Sequence, residues 1–237
     1  MGQYYKPIIL GKRNGIVETF TSWDYDNGAK LTEHSYIGNN FVNAVINTIM
    51  TKYHGQAKLV WAGDYAEEEP KSETNLYFRA RAKTSTKEAN QKDNDSIRYI
   101  INVDKGEFVD LWNVPSFGGA RIHPLPLLTC EGNGQGGGDY FGYNMKYIGS
   151  WARNTIKFVE WHSYRDNASV NGLTEITPNF GMPTDIIDNL VQSLEILREM
   201  NANGELSEYS ANYLDKKLNA IPNLSKENAR RMFYKSK

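Results

Sequence analysis

The sequence predicts an α+β fold: an antiparallel sheet of short strands with one main packed helix, followed by a C-terminal helical segment. Three observations carry this expectation. Short aromatic and β-branched runs alternate with turn chemistry, as in YYKPIIL, then GKRNG, then IVETF. Residues 39–54, NNFVNAVINTIMTKYH, place Phe41, Val42, Val45, Ile46, Ile49 and Met50 on one face at helical spacing. Near Pro178 the composition shifts, and Ile186, Ile187, Leu190, Val191, Leu194 and Leu197 form a helical stripe. The expected organisation is a body over residues 1–177 that carries a glycine-rich loop, and a helical appendage over residues 178–237.

The elements follow in chain order. Residues 4–10 and 16–20 read as a hairpin, with Pro7 pointing to an edge strand because proline cannot donate to a ladder. WDYDNGAKLTEHS reads as a loop with a turn at Asn27-Gly28, and Asn39 or Asn40 is placed to cap the helix that follows. KLVWAG, residues 58–63, is a short strand. Residues 66–96 turn polar around LYFRARA and are expected to be a mobile insertion. RYIINVDKGEFVDLW is a second hairpin turning at Asp104-Lys105-Gly106, and NTIKFVEW alternates as a half-buried strand does.

Bulk composition excludes several function classes. A chain of 237 residues with 12% aromatics can bury a real core. Lys+Arg 27 against Asp+Glu 28 lacks the cationic surplus of a protein that coats nucleic acid, so no nucleic-acid partner is expected. One cysteine, Cys130, leaves no intrachain disulfide and fits a reducing compartment. With no leader pattern and no run long enough to span a bilayer, the chain reads as a cytoplasmic protein without a membrane partner.

The chemistry-bearing stretch is HPLPLLTCEGNGQGGGDYFGYN, residues 123–144, in which Gly132, Gly134, Gly136, Gly137, Gly138 and Gly142 crowd together. Glycine density of this kind has two physical reasons, a need for positive φ or an approach too close for a Cβ. The first gives an irregular turn; the second gives a ligand site whose successive amides suit phosphate or carboxylate. On the second reading the binding set is Gly132, Asn133, Gly134, Gly136, Gly137, Gly138 and Tyr140, and the ligand is a small anion or a partner protein's surface. A match to G-x-G-x-x-G at Gly132, Gly134 and Gly137 lacks its context, because Pro124 and Pro126 break the leading strand and DYFGYN is a poor helix start. No Gly-Lys-Ser/Thr follows, so the Walker pattern fails too, and the sequence names no particular cofactor.

For catalysis, His123 is the candidate general base, Asp139 its acid and base partner, and Asp64 and His34 assisting groups. Each has a plain structural alternative: His123 as a satisfied histidine, His34 as a cap before the helix, and Asp64 and Asp139 as residues that bond their own turn with the neighbouring Tyr packed. No two of His34, His54, His123 and His162 stand at i and i+4, and Cys130 lies seven positions from His123, so no metal-ligand spacing is present. Cys130, within LPLLTC, is expected to be buried and inert.

Taken in order, the motifs MGQYYK, AKLTEHSYIGNNFV, VWAGDYA, HPLPLLTCEGNGQGGGDYFG and IGSWA resemble those of an uncharacterised family of small proteins found in bacterial and phage genomes, over roughly residues 1–160. The resemblance implies a phage or mobile-element setting and a protein that interferes with a host system; it implies no catalytic residue. Three functions follow: a binding protein using the glycine-rich segment, a hydrolase or transferase on a nucleotide or phosphorylated substrate, and a structural or virion-associated oligomer assembled through the C-terminal helices.

Overall fold

The computed structural model describes residues 3–70, 72–80, 94–117, 120–132, 145–162 and 164–177. The glycine-rich residues 133–140 and the predicted helices beyond residue 177 lie outside the described residues. The chain divides into two compact units, Met1–Val114 with Ile122–Phe180, and Pro115–Arg121 with Gly181–Lys237.

The first unit is α+β. Its strands are β1 (Tyr5–Leu10), β2 (Ile16–Thr19), β3 (Gln56–Gly63), β4 (Ile97–Asn102) and β5 (Glu107–Asp110), and its helices are α1 (Leu31–His34), α2 (Asn40–Lys52) and α3 (Leu76–Ala80). In the second unit β6 (Ser116–Phe117) and β7 (Ala120–Arg121) form an antiparallel pair. The first unit resumes with α4 (Pro124–Thr129), β8 (Cys130–Glu131), β9 (Thr155–Glu160) and β10 (Thr174–Glu175). The sheet of this unit runs β10-β5-β4-β9-β3-β1-β2, with β8 also on β3. Two pairs, β10 with β5 and β8 with β3, are parallel and the rest antiparallel, so the sheet is mixed rather than purely antiparallel.

Both hairpins form where the turn chemistry places them. Gly106 takes φ +66° at the second, and the Asn102 side chain accepts from the amides of Asp104 and Lys105 at 3.0 and 3.1 Å. The edge position expected from Pro7 is not found: β1 lies between β2 and β3. The reason lies in which way the ring nitrogen points. Tyr5 donates to Ala29 O and Pro7 accepts from Phe20 N, both on the flank away from β3. The missing N–H therefore falls where β2 has ended and costs no bond to β3.

Helix α2 starts as read, with the Asn39 side chain accepting from Phe41 N at 2.9 Å and Val42 N at 3.2 Å. Phe41 through Ile49 are all buried, polar members included. Thr48 donates to Ala44 O at 2.9 Å, and Asn43 accepts from the Asn94 amide, so the buried polar groups are satisfied. At the helix end the Tyr53 hydroxyl donates to Glu18.

The sheet is covered on both faces. Tyr5, Ile9, Leu59 and Trp61 pack with α2, whereas Ile8, Leu10, Val60 and Ala62 pack with Leu76 and Ala80 of α3. That explains why Leu59, Val60, Trp61 and Ala62 form an unbroken apolar run. It also corrects one expectation: part of the stretch 66–96 is tied to the sheet through α3, while residues 81–93 lie outside the described residues.

Replacing Asn39 with alanine removes the α2 cap and the 2.6 Å bond from its amide to Asn27 Oδ1. Urea unfolding is expected to show a loss of about 1–2 kcal/mol for Asn39→Ala and a smaller loss for Asn39→Ser, which keeps a cap.

Candidate functional site

The sequence-predicted groups are largely absorbed by the fold. His34 is fully buried at the end of α1, with Nδ1 3.1 Å from Gly28 O and Nε2 3.0 Å from Trp61 Nε1. The indole N–H can only donate, so Nε2 accepts and Nδ1 carries the proton. His34 therefore neither caps α2 nor stands open for proton transfer; it ties the loop before the helix to the central strand.

His123 is 3% exposed and caps α4, its Nδ1 accepting from Leu125 N at 3.2 Å. The prolines are compatible with this helix because they sit in its first turn, where backbone donors have no intrahelical acceptor. HPLPLLT is thus a buried helix rather than a broken strand. The His123 amide bonds Ser35 O, and Ile122 bridges Tyr36, so the structure brings the His34 and His123 segments side by side.

Asp64 does not bond its own turn. Its carboxylate accepts from Tyr4 N at 3.0 Å while its amide donates to Tyr4 O, extending the β1–β3 pairing. Tyr65 beside it is exposed rather than packed. Asp139, Asn133, Gly134, Gly136, Gly137, Gly138 and Tyr140 lie outside the described residues. Cys130 is buried as expected, and burial pushes its thiol up to about 12. Among the described residues no group of three or more His, Cys, Asp or Glu side chains is arranged to hold a metal ion.

What the described residues do form is a cavity of about 400 Å³ at Gly132, lined by Glu67, Glu68, Glu69, Pro70, Glu131 and Arg153. Its origin is a fork beside β3. One flank of β3 pairs with β1; the other pairs with β9 at residues 56–58 and with β8 at residues 61–62. Between these two partners, at Leu59, the backbone of Arg153 and Asn154 completes the ladder: Arg153 N donates to Leu59 O at 2.9 Å, and Leu59 N donates to Asn154 O at 3.1 Å. The turn that delivers Arg153 requires glycine at 149, where φ is +73° and a Cβ would stand 2.7 Å from Cys130 O.

From this fork the Arg153 guanidinium reaches two carboxylates. It bonds Glu131 through Nε at 2.8 Å and Nη2 at 2.7 Å, and Glu69 through Nη1 at 3.1 Å with a second bond from Nη2 to Oε1. Burial acts to lower the Arg153 pKa, but the hydrogen bonds and charges of Glu69 and Glu131 outweigh it and leave the group held above its ordinary value. Arg79 of α3 lies 3.8 Å from Glu69 as a second cation. Glu67 and Glu68 are exposed at the rim. Chemically, this is a carboxylate-rich hollow whose only lining cation among the described residues is already engaged.

Sequence reading missed Arg153, Glu69 and Glu131. EEEP resembles a solvated polar run, and the partners stand 84 and 22 residues from Arg153. Comparison with known protein families, with curated proteins and with solved structures gives no match to this chain.

Removing His34 is expected to act on the fold. His34→Ala leaves the Trp61 N–H buried without its acceptor and opens space beside it, so urea unfolding is expected to show a loss of about 3 kcal/mol. A second expectation concerns alkali. Cys130 rises from 9.0 to about 12, and Tyr53 from 10.0 to about 12 through burial and then Glu18, so the folded state favours the neutral form of each. Their contribution is complete below pH 9 and is lost as pH rises from 9 toward 12. Thermal unfolding followed across that range should show Tm falling from pH 9, with the fall starting nearer pH 10 in Cys130→Ala, where Tyr53 takes over.

Proposed function

We propose that this chain is a non-enzymatic binding protein of phage or mobile-element type, and that the cavity at Gly132 receives a basic group on the surface of a host protein. The observation that carries the reading is the lining itself: Glu67, Glu68, Glu69 and Glu131 set against Arg153. An anion entering this end of the glycine-rich segment meets carboxylates on several sides, whereas a guanidinium or ammonium group meets acceptors. Of the two ligand classes that the sequence suggests, the partner surface is therefore better supported than the small anion. The phage setting rests on the motif resemblance, and interference with a host system is the role that such a setting favours. A cytoplasmic location belongs to the same reading, since the sole cysteine is a buried thiol.

The hydrolase or transferase reading draws less support. Its proposed base, His123, is nearly enclosed and already spends Nδ1 on the backbone of α4. An oligomer built on residues 178–237 draws on residues outside those described.

Calorimetric titration of the full chain with an arginine-rich peptide, inorganic phosphate and ATP tests the proposal. Peptide binding is expected, weakened roughly three- to tenfold by Glu67→Gln with Glu68→Gln, since each exposed pair contributes up to about 1 kcal/mol. Binding of phosphate or ATP, unchanged by the double substitution and without peptide binding, sinks it in favour of the anion site.

A further inference from the structure

We propose that Arg153 is a latch: its ion pair with Glu69 holds residues 67–70 as a strap against the cavity wall, and breaking that pair lets the strap swing away as a unit. Residues 64–70 and 72–75 are tied together by an internal framework of hydrogen bonds. The Asn75 amide donates to Asp64 O at 3.1 Å and Ala66 O at 3.0 Å, closing the base of the loop. Glu69 N donates to Thr74 O, and Ser72 N to Glu69 O, fixing its shape. None of these bonds reaches β8 or the turn before β9.

Among the described residues, attachment of the strap to that side of the cavity runs through Glu69. Its neighbours Glu67, Glu68 and Pro70 are exposed, while the Glu69 side chain is 7% exposed and bonded by Arg153, with Arg79 behind it. Across the cavity the same guanidinium holds Glu131, which is anchored in β8 beside Ala62. One side chain thus spans from the strap to the root of the glycine-rich segment.

The backbone argues that this side chain is what the position requires. Arg153 sits at φ +64°, a left-handed conformation that strains a non-glycine L-residue. Glycine would relax the turn; arginine accepts the strain and supplies a bidentate fork. A pair that is 25% exposed on the arginine side is open to competition from solvent or from a second cation. The latch stands without the basic-partner reading, since it concerns only where the strap sits.

Nitroxide labels at Glu68→Cys on the strap and Lys157→Cys on β9, both exposed, measure it by electron–electron dipolar spectroscopy of the full chain, with Cys130 buried away from the reagent. The unsubstituted latch is expected to give one narrow distance distribution. Arg153→Gly, which suits the backbone but removes the fork, and Glu69→Gln are expected to broaden it toward longer distances, with Arg153→Lys in between. Circular dichroism checks that each variant is folded. An unchanged distribution in folded Arg153→Gly and Glu69→Gln overturns the latch; so does loss of the fold in both, which would make the pair a core contact rather than a movable one.

Discussion

Strand β3 is the constraint on which the described architecture depends. It contributes to both faces of the core at once, Leu59 and Trp61 to one and Val60 and Ala62 to the other, so it tolerates a polar residue on neither side over that stretch. Along one flank it satisfies β1; along the other it must satisfy two partners of opposite direction, with a turn inserted between them. A backbone that changes partner in this way leaves a gap beside the point of change, because β8 and β9 cannot both continue past Leu59. The Arg153–Asn154 backbone fills that gap by pairing both main-chain groups of Leu59, and the Arg153 side chain lines the hollow beside it.

Buried polar side chains specify the core around this strand. The two largest buried side chains, Trp61 and Trp151, each carry an indole donor that needs an acceptor. Trp61 finds His34, and Trp151 finds Glu107 at 2.6 Å. Each pairing joins distant parts of the chain, by 27 and 44 residues, and each has a narrow geometry, so each fixes a mutual position that apolar packing alone would leave looser. The histidine that looked like chemistry in the sequence is spent on this task.

Local rules were legible where the answer was local. Asn39 as a cap, Gly106 at a hairpin turn and the alternation that begins β9 all follow from residues within a few positions. Pro7 misled because its meaning depends on which flank its nitrogen faces, and that is decided by where β2 stops. Pro124 and Pro126 spoke against a leading strand, and none forms; the helix they open was not foreseen, though proline in a first helical turn removes no bond. The cavity was not legible at all. Glu67, Glu68 and Glu69 in sequence are three like charges, the usual mark of a solvated run; only tertiary structure buries the third against an arginine 84 residues away. Of the glycine-rich segment, Gly132 lines the cavity among the described residues, and glycine density carries no information on the charge of the wall.

Pro7 has a further consequence for how β1 finds its place. Most first-strand sequences fix their alignment by alternation, since slipping by one residue exposes an apolar face. Here Ile8, Ile9 and Leu10 are buried on alternating sides, so such a shift would merely exchange one greasy surface for another. The imino nitrogen breaks that degeneracy: after a one-residue slip it would point at β3 and forfeit a rung. The ring thus acts as a chain-alignment stop, rejecting misthreaded arrangements of the N-terminal strand that hydrophobicity alone would accept.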